Sequence, residues 1–299
     1  MIILTVGKSY IDIDGYASAI AYKELLNMQN IEAKFVSNAV LNYSITKSLL
    51  DISYSTDNYE INDNDKFIIL DLSNKEYFPD FVKEDNIIEI IDHHPGYKEY
   101  WDTKLGDKSE IEEIGSVATI IVEKYEEANL LNRMNTDIAK LLMSAILDNT
   151  LNFTATITKE RDKMAYKKLE DITKEYNYKE KYFLECQKYI ESNLEESIKN
   201  DIKIQHINEY LPDVFGQLTI YDSNELLNKR NILIKIMNSY GNEWILNLIS
   251  LKDNTSYILY SDETIRNNLE KVLNCYNDND IVIIRPAMLR KEILKKVIN

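Results

Sequence analysis

The 299-residue chain exceeds the size at which one hydrophobic core usually stops growing, so two domains are expected. A hydrophobic share of 44% with 28% charged residues is ordinary for a globular protein. Thirty-five basic against fifty acidic residues give a formal charge of -15, which argues against a broad footprint for duplex nucleic acid but not against a small anion drawn into one local cluster.

The opening MIILTVGKSYID lacks the basic start and long apolar core of a signal peptide, and no apolar run reaches membrane-spanning length. Cys186 and Cys275 stand far apart, outside any ligand spacing, and read as free thiols of a reducing compartment. A cytoplasmic protein with no membrane partner is expected.

Met1 to Val6 reads as a buried strand, followed by the loop GKSYIDIDG and a helix over Tyr16 to Asn27. Asp12 and Asp14, spaced i, i+2, would point to one side of an extended segment and could offer a hard cation two carboxylates. The alternative is that Asp14 caps the following helix. Further strands are read at Ile31 to Ser37 and Lys66 to Leu72, with weak helical character over Tyr43 to Leu50. Asp71 stands near the end of KFIILDL, where an unpaired carboxylate would be costly to bury.

The stretch IIEIIDHHPG concentrates the chemistry. Its isoleucine run, Ile87 to Ile91, reads as a strand covered on both faces. It ends in Asp92, His93 and His94, and two of the chain's three histidines lie there. Open α/β sheets place ligands at the carboxyl ends of their strands. Three such ends carrying carboxylate or imidazole predict one wall of a divalent-metal site. Helices are then expected over Gly115 to Asn129 and Asn135 to Asp148. Amides at the Gly115–Ser116 start could hold an anion, and Asp148 opposes its own helix dipole unless a cation lies near.

Taken together, DIDGYASAIAY (12–22), IILDLS (68–73), IDHHPG (91–96), GSVATIIVEKYEEA (115–128) and SAILDNTLNFTATITKERD (144–162) form an ordered set. The chain resembles the DHH phosphoesterase superfamily. Within it, the similarity is to the branch of manganese-dependent (family II) inorganic pyrophosphatases, exopolyphosphatases and prune-like proteins. The resemblance implies Asp12, Asp14, Asp71, His93 and Asp148 as metal ligands, with Asp71 bridging two ions. It also implies His94 facing the substrate phosphate and Asp92 supporting an imidazole. Mn2+ is the implied ion, with Mg2+ or Co2+ as substitutes and one or two ions bound. Water activated by the metal would be the nucleophile.

One position departs from the pyrophosphatases, which have a histidine ligand where this chain has Lys8. A protonated lysine cannot ligate a metal. Three readings stay open: a weak first ion, an ammonium that binds phosphate in the ion's place, or loss of catalysis. A solvated Lys8 is the bland reading beside them. The exopolyphosphatase and prune-like branches also lack that histidine.

Lys159 to Asn200 is charged and helical in period, as two or three helices whose charges are solvated. Beyond it, Gln217 to Tyr221, Trp244 to Leu251, Tyr257 to Tyr260 and Ile281 to Ile284 read as strands. Helices are expected at Asn224 to Ser239, Thr264 to Tyr276 and 287 to 297. The resemblance, fainter here, nominates Lys203, Arg290 and Lys291 as phosphate ligands, with Arg285 a further candidate; a basic helix end favoured by its dipole is the alternative for Arg290 and Lys291. His206 reads as a surface residue.

The expectation is therefore an α/β protein. A doubly wound, mostly parallel domain over 1–188 and a helical linker over 189–200 precede a smaller α+β domain over 201–299, with the site in the cleft between the domains. The activity expected is metal-dependent hydrolysis of phosphoanhydride bonds in a small anionic phosphate substrate, first a short polyphosphate and second pyrophosphate. A non-catalytic phosphate- or nucleotide-binding regulator is the contrasting class. The resemblance also suggests a homodimer through a sheet edge.

Overall fold

Isoleucine-rich segments that bury both faces need helices above and below them, and the first unit is built that way. In the computed structural model, which describes residues 1–51, 56–206, 208 and 210–298, β1 (Ile2–Thr5), β2 (Tyr10–Ile11) and α1 (Ile13–Met28) come first. They are followed by β3 (Ala33–Phe35), β4 (Val40–Leu41), α2 (Lys47–Leu50), β5 (Lys66–Leu70) and β6 (Ile87–Asp92). Next are α3 (Lys98–Leu105), β7 (Ser109–Ile111), α4 (Val117–Glu127), α5 (Thr136–Asn149) and α6 (Glu160–Thr173). The main sheet has the order β3-β1-β5-β6-β7, with every neighbouring pair parallel. One face packs Ile3, Phe67, Ile69 and Ile90 with Trp101 of α3. Helix α1 packs against both α4 and α5.

Two expectations are corrected here. Helix α1 starts at Ile13 rather than Tyr16, so Asp14 is already helical and the i, i+2 extended geometry proposed for Asp12 and Asp14 does not hold. The extended residue is Asp12, which caps α1 by accepting from the Gly15 amide at 3.0 Å. Likewise β5 stops at Leu70, because Asp71 takes a left-handed backbone (φ 56) that ends the ladder.

The second unit contains α7 (Tyr178–Ser192), α8 (Leu194–Lys199), β8 (Lys203–Ile204), β9 (Val214–Ile220), α9 (Asn224–Asn228) and α10 (Arg230–Met237). It continues with β10 (Trp244–Ser250), β11 (Thr255–Tyr260), α11 (Glu263–Val272), β12 (Tyr276–Asp278), β13 (Ile281–Ile284) and α12 (Arg290–Ile298). Its mixed sheet runs β12-β13-β11-β10-β9-β8, with only β9 and β10 parallel. The helix expected over Asn224 to Ser239 is two helices, interrupted where Lys229 leaves helical backbone. The first unit takes Met1–Phe153 and Ile157–Tyr178, and the second takes Thr154–Thr156 and Lys179–Asn299. Among the described residues no helix is long and apolar enough to cross a membrane.

Candidate metal centre

The carboxyl ends of β5 and β6 meet in a cluster of oxygen and nitrogen donors. Asp71 follows β5 directly, and its left-handed turn brings its amide onto the Ile91 carbonyl at 2.9 Å. That bond ties the residue to β6, whose last residue, Asp92, precedes the two imidazoles. Nε2 of His93 lies 3.2 Å from Asp71 Oδ1 and 3.8 Å from Asp14 Oδ2. One donor atom each from Asp71, His93 and His94 falls within 4.8 Å of the other two. Metal–ligand bonds of about 2.0–2.2 Å allow two ligands of one ion to be about 4 Å apart, and a mixed carboxylate–imidazole set suits first-row divalent ions. The 3.2 and 3.8 Å separations of His93 Nε2 from Asp71 and Asp14 fall within that span, so these donors fit a divalent cation.

The two histidines are placed differently. The His93 side chain is 1% exposed, whereas that of His94 is 31% exposed. Asp92 is buried at the strand end, and its Oδ1 accepts from the amides of His93 (2.8 Å) and His94 (3.2 Å) and bonds His94 Nδ1 at 2.8 Å. Burial alone would push the Asp92 carboxyl up. The His94 imidazole, the Ser73 hydroxyl and the His94 amide together outweigh that and hold it below the usual carboxylate range. A carboxylate on Nδ1 fixes the orientation of the ring.

Asp14 is fully buried, a costly place for a carboxylate without donors. Three donors come from the start of α4, the Ser116 hydroxyl at 2.8 Å and the amides of Val117 at 3.0 Å and Ala118 at 2.9 Å, and the Ser18 hydroxyl adds a longer contact at 3.5 Å. The anion at the Gly115–Ser116 helix start is therefore Asp14 itself. Gly15 lies beside it, and a Cβ there would meet Val6 Cγ1 at 3.2 Å and Asp71 Oδ2 at 3.6 Å.

The remaining candidates lie at varying removes. Asp12 and Asp148 fall outside the three-residue donor cluster, with Asp12 capping α1 and Asp148 half-buried in the last turn of α5, which packs on α1. The Lys8 ammonium pairs with Asp80 at 3.2 Å, and the two side chains are 45% and 92% exposed.

Lys203 and Arg290 line one hollow of the second unit, together with Gln205, Phe215 and Leu294. Arg290 is buried, and its Nη1 donates to the carbonyls of Asp201 (2.8 Å) and Phe215 (3.0 Å) beside Asp201 Oδ1 at 3.0 Å. Much of its guanidinium therefore serves the fold of that unit. Lys291 is half-buried on the first turn of α12, and Arg285 Nε donates to Thr255 Oγ1 at 2.8 Å. His206 is exposed and bonded to Asp213 at 2.9 Å. Cys186 and Cys275 are not joined in a disulfide.

Sequence reasoning missed several supports of this site. The Ser44 hydroxyl accepts the Ile13 amide at 2.8 Å and so fixes the first residue of α1. Asp162 gathers the start of α4 onto α6. Ser116 alone carried a readable signal, as a serine directly ahead of an apolar helical run.

The fold and donor set define a class: a parallel α/β domain with a candidate divalent-metal centre at the carboxyl edge of its sheet. Residues 2–146 match the DHH family, N-terminal domain. The chain is 28% identical over 243 residues to a protein of Methanocaldococcus jannaschii named manganese-dependent inorganic pyrophosphatase, covering 76% of each. It is 24% identical over 309 residues to one of the same name from Methanothrix thermoacetophila, covering 97% of this chain and 95% of that protein. Other relatives of that description are matched over only about half of their own length. In fold, the chain is similar to a crystal structure described as a Methanococcus jannaschii putative family II inorganic pyrophosphatase. The TM-score is 0.75 with 21% identity, over 99% of both chains.

Proposed function

We propose that this chain hydrolyses phosphoanhydride bonds in a small phosphate-rich substrate, using a divalent cation with Mn2+ in first place. The observation that carries this reading is the convergence of Asp71, His93 and His94 at the ends of two adjacent parallel strands. The relatives named as manganese-dependent pyrophosphatases support the same chemistry and the same ion. Asp71, His93 and Asp14 would hold the cation, with Asp12 and Asp148 as outlying carboxylates. A cation so held lowers the pKa of a water and offsets charge on the phosphoryl group.

The chain's own residues divide the remaining work. Asp92 keeps His94 Nδ1 occupied, so that Nε2 can accept a proton or, once protonated, donate to a phosphate oxygen. His93 and Asp14, both out of water, keep the donor set rigid. Lys203 and Lys291 are nominated as phosphate ligands of the second unit, and Arg290 for whatever part of its guanidinium the fold does not use.

Short polyphosphate is the first substrate, because Lys8 stands where the pyrophosphatases have a ligand. Pyrophosphate is the second, and the relatives' names favour it. A cytoplasmic setting and a homodimer belong to the same proposal. The deciding experiment is phosphate release from pyrophosphate, tripolyphosphate, long polyphosphate and nucleotides with Mn2+, Mg2+ or Co2+. Turnover of tripolyphosphate above the others is expected. Anion binding without turnover under any ion would overturn the enzyme reading and leave the regulatory one.

A further inference from the structure

Asp162 has no part in the donor cluster, yet it is fully buried and bonded to the same helix start as Asp14. It lies in the first turn of α6, where its Oδ2 accepts the Lys159 amide at 2.7 Å. The same oxygen accepts the Gly115 amide at 3.1 Å, and Oδ1 accepts the Thr119 hydroxyl at 2.6 Å. Gly115 precedes the α4 N-cap, Ser116, and Thr119 sits in the first turn of α4. Asp162 therefore grips α4 on both sides of the groups that Asp14 uses.

The two carboxylates are interleaved on one turn of backbone. Asp162 takes Gly115 N and Thr119 Oγ1, and Asp14 takes Ser116 Oγ, Val117 N and Ala118 N. The approach is so close that a Cβ on residue 115 would fall 2.5 Å from Asp162 Oδ2. Asp14 Oδ2 in turn faces His93 Nε2 at 3.8 Å. A rotation or fraying of the α4 start would carry the Asp14 carboxylate with it, since three of its donors move as one.

We infer that Asp162 is a positioning residue for the metal centre, acting through the start of α4 on Asp14. The inference rests on the metal-centre reading proposed above and adds a residue to it. Groups that bond a metal ligand directly are typically worth about 10–100-fold in metal affinity, and Asp162, one bond further out, belongs at the lower end of that range.

The test measures Mn2+ binding to the metal-free, full-length protein by titration calorimetry, well below its unfolding temperature. Asp162→Ala is expected to raise the Mn2+ Kd by about 10-fold. Asp162→Asn is expected to stay within about threefold of wild type, because its amide can donate to Thr119 Oγ1 while its carbonyl still accepts from Gly115 N. Thr119→Val removes a single tie and is expected to weaken Mn2+ several-fold; it carries the test if the alanine variant does not fold. A structural role without positioning would lower thermal stability and leave the Kd of the folded protein unchanged. Wild-type Kd in folded Asp162→Ala, or in Thr119→Val if the alanine variant does not fold, overturns the inference alone. Failure of wild-type protein to bind Mn2+ overturns the metal reading and this inference with it.

Discussion

Asp71 combines a left-handed backbone with a carboxylate whose side chain is 9% exposed, set between two imidazoles. Asp tolerates that backbone better than most residues, and Asn tolerates it as well. The position therefore permits a substitution that changes charge and little else. Asp71→Asn is expected to lower Mn2+ affinity by at least about 100-fold, beyond the usual range for an outer-sphere change. The metal-free variant should unfold near the wild-type temperature, since the turn survives and a buried charge is removed. Calorimetric titration checks the first point and a melting curve the second. Unchanged Mn2+ stoichiometry and affinity would show that Asp71 does not hold the ion. This residue was legible in the sequence because a lone carboxylate on an apolar strand demands a partner. The reach of Asp162 to α4 was not legible, because its partners there lie 47 and 43 residues away and only the packing of α4 on α6 joins them.

At the scale of elements, the sequence showed what was long and apolar. Strands β1, β5 and β6 follow from continuous isoleucine-rich runs, and α4 and α5 from apolar positions at helical spacing. Short, polar pieces were lost: β2 and β4 have two residues each, and β7 is Ser-Glu-Ile at a sheet edge. Such strands are defined by the neighbour that pairs with them and have no pattern of their own. The α4 start was half legible, since Ser116 announced a cap but not which anion it would serve. Its tightness gives a sharp expectation. A methyl at residue 115 would meet Asp162 Oδ2 at 2.5 Å and Thr150 Cγ2 at 2.7 Å, and neither is the far end of a flexible chain. Gly115→Ala should therefore destabilise the protein by about 1–3 kcal/mol, read from urea unfolding. A change below about 0.5 kcal/mol would mean that α4 and α6 can part without cost, weakening the case for a fixed Asp14.

At the scale of the molecule, the candidate donors all come from the first unit, with Asp12, Asp14, Asp71, His93, His94 and Asp148 in Met1–Phe153. The cation alone should then stabilise that unit and not the other. Ligand binding to the native state contributes about 2.7 kcal/mol at a free concentration 100 times Kd. Backbone openings that expose the site must pay that amount, whereas openings confined to the second unit pay nothing. Hydrogen exchange with Mn2+ and no phosphate should accordingly slow in segments 12–18, 70–73, 91–96 and 115–119. Strands β9, β10 and β11, held by their own ladder and remote in sequence from every donor, should exchange as before. Segment 115–119 is the informative one, because it supplies no donor to the cluster and reaches the ion only through Asp14. Slowing at the strand ends without slowing there would uncouple α4 from the metal. Equal slowing in β9 to β11 would overturn the assignment of the cation to the first unit alone.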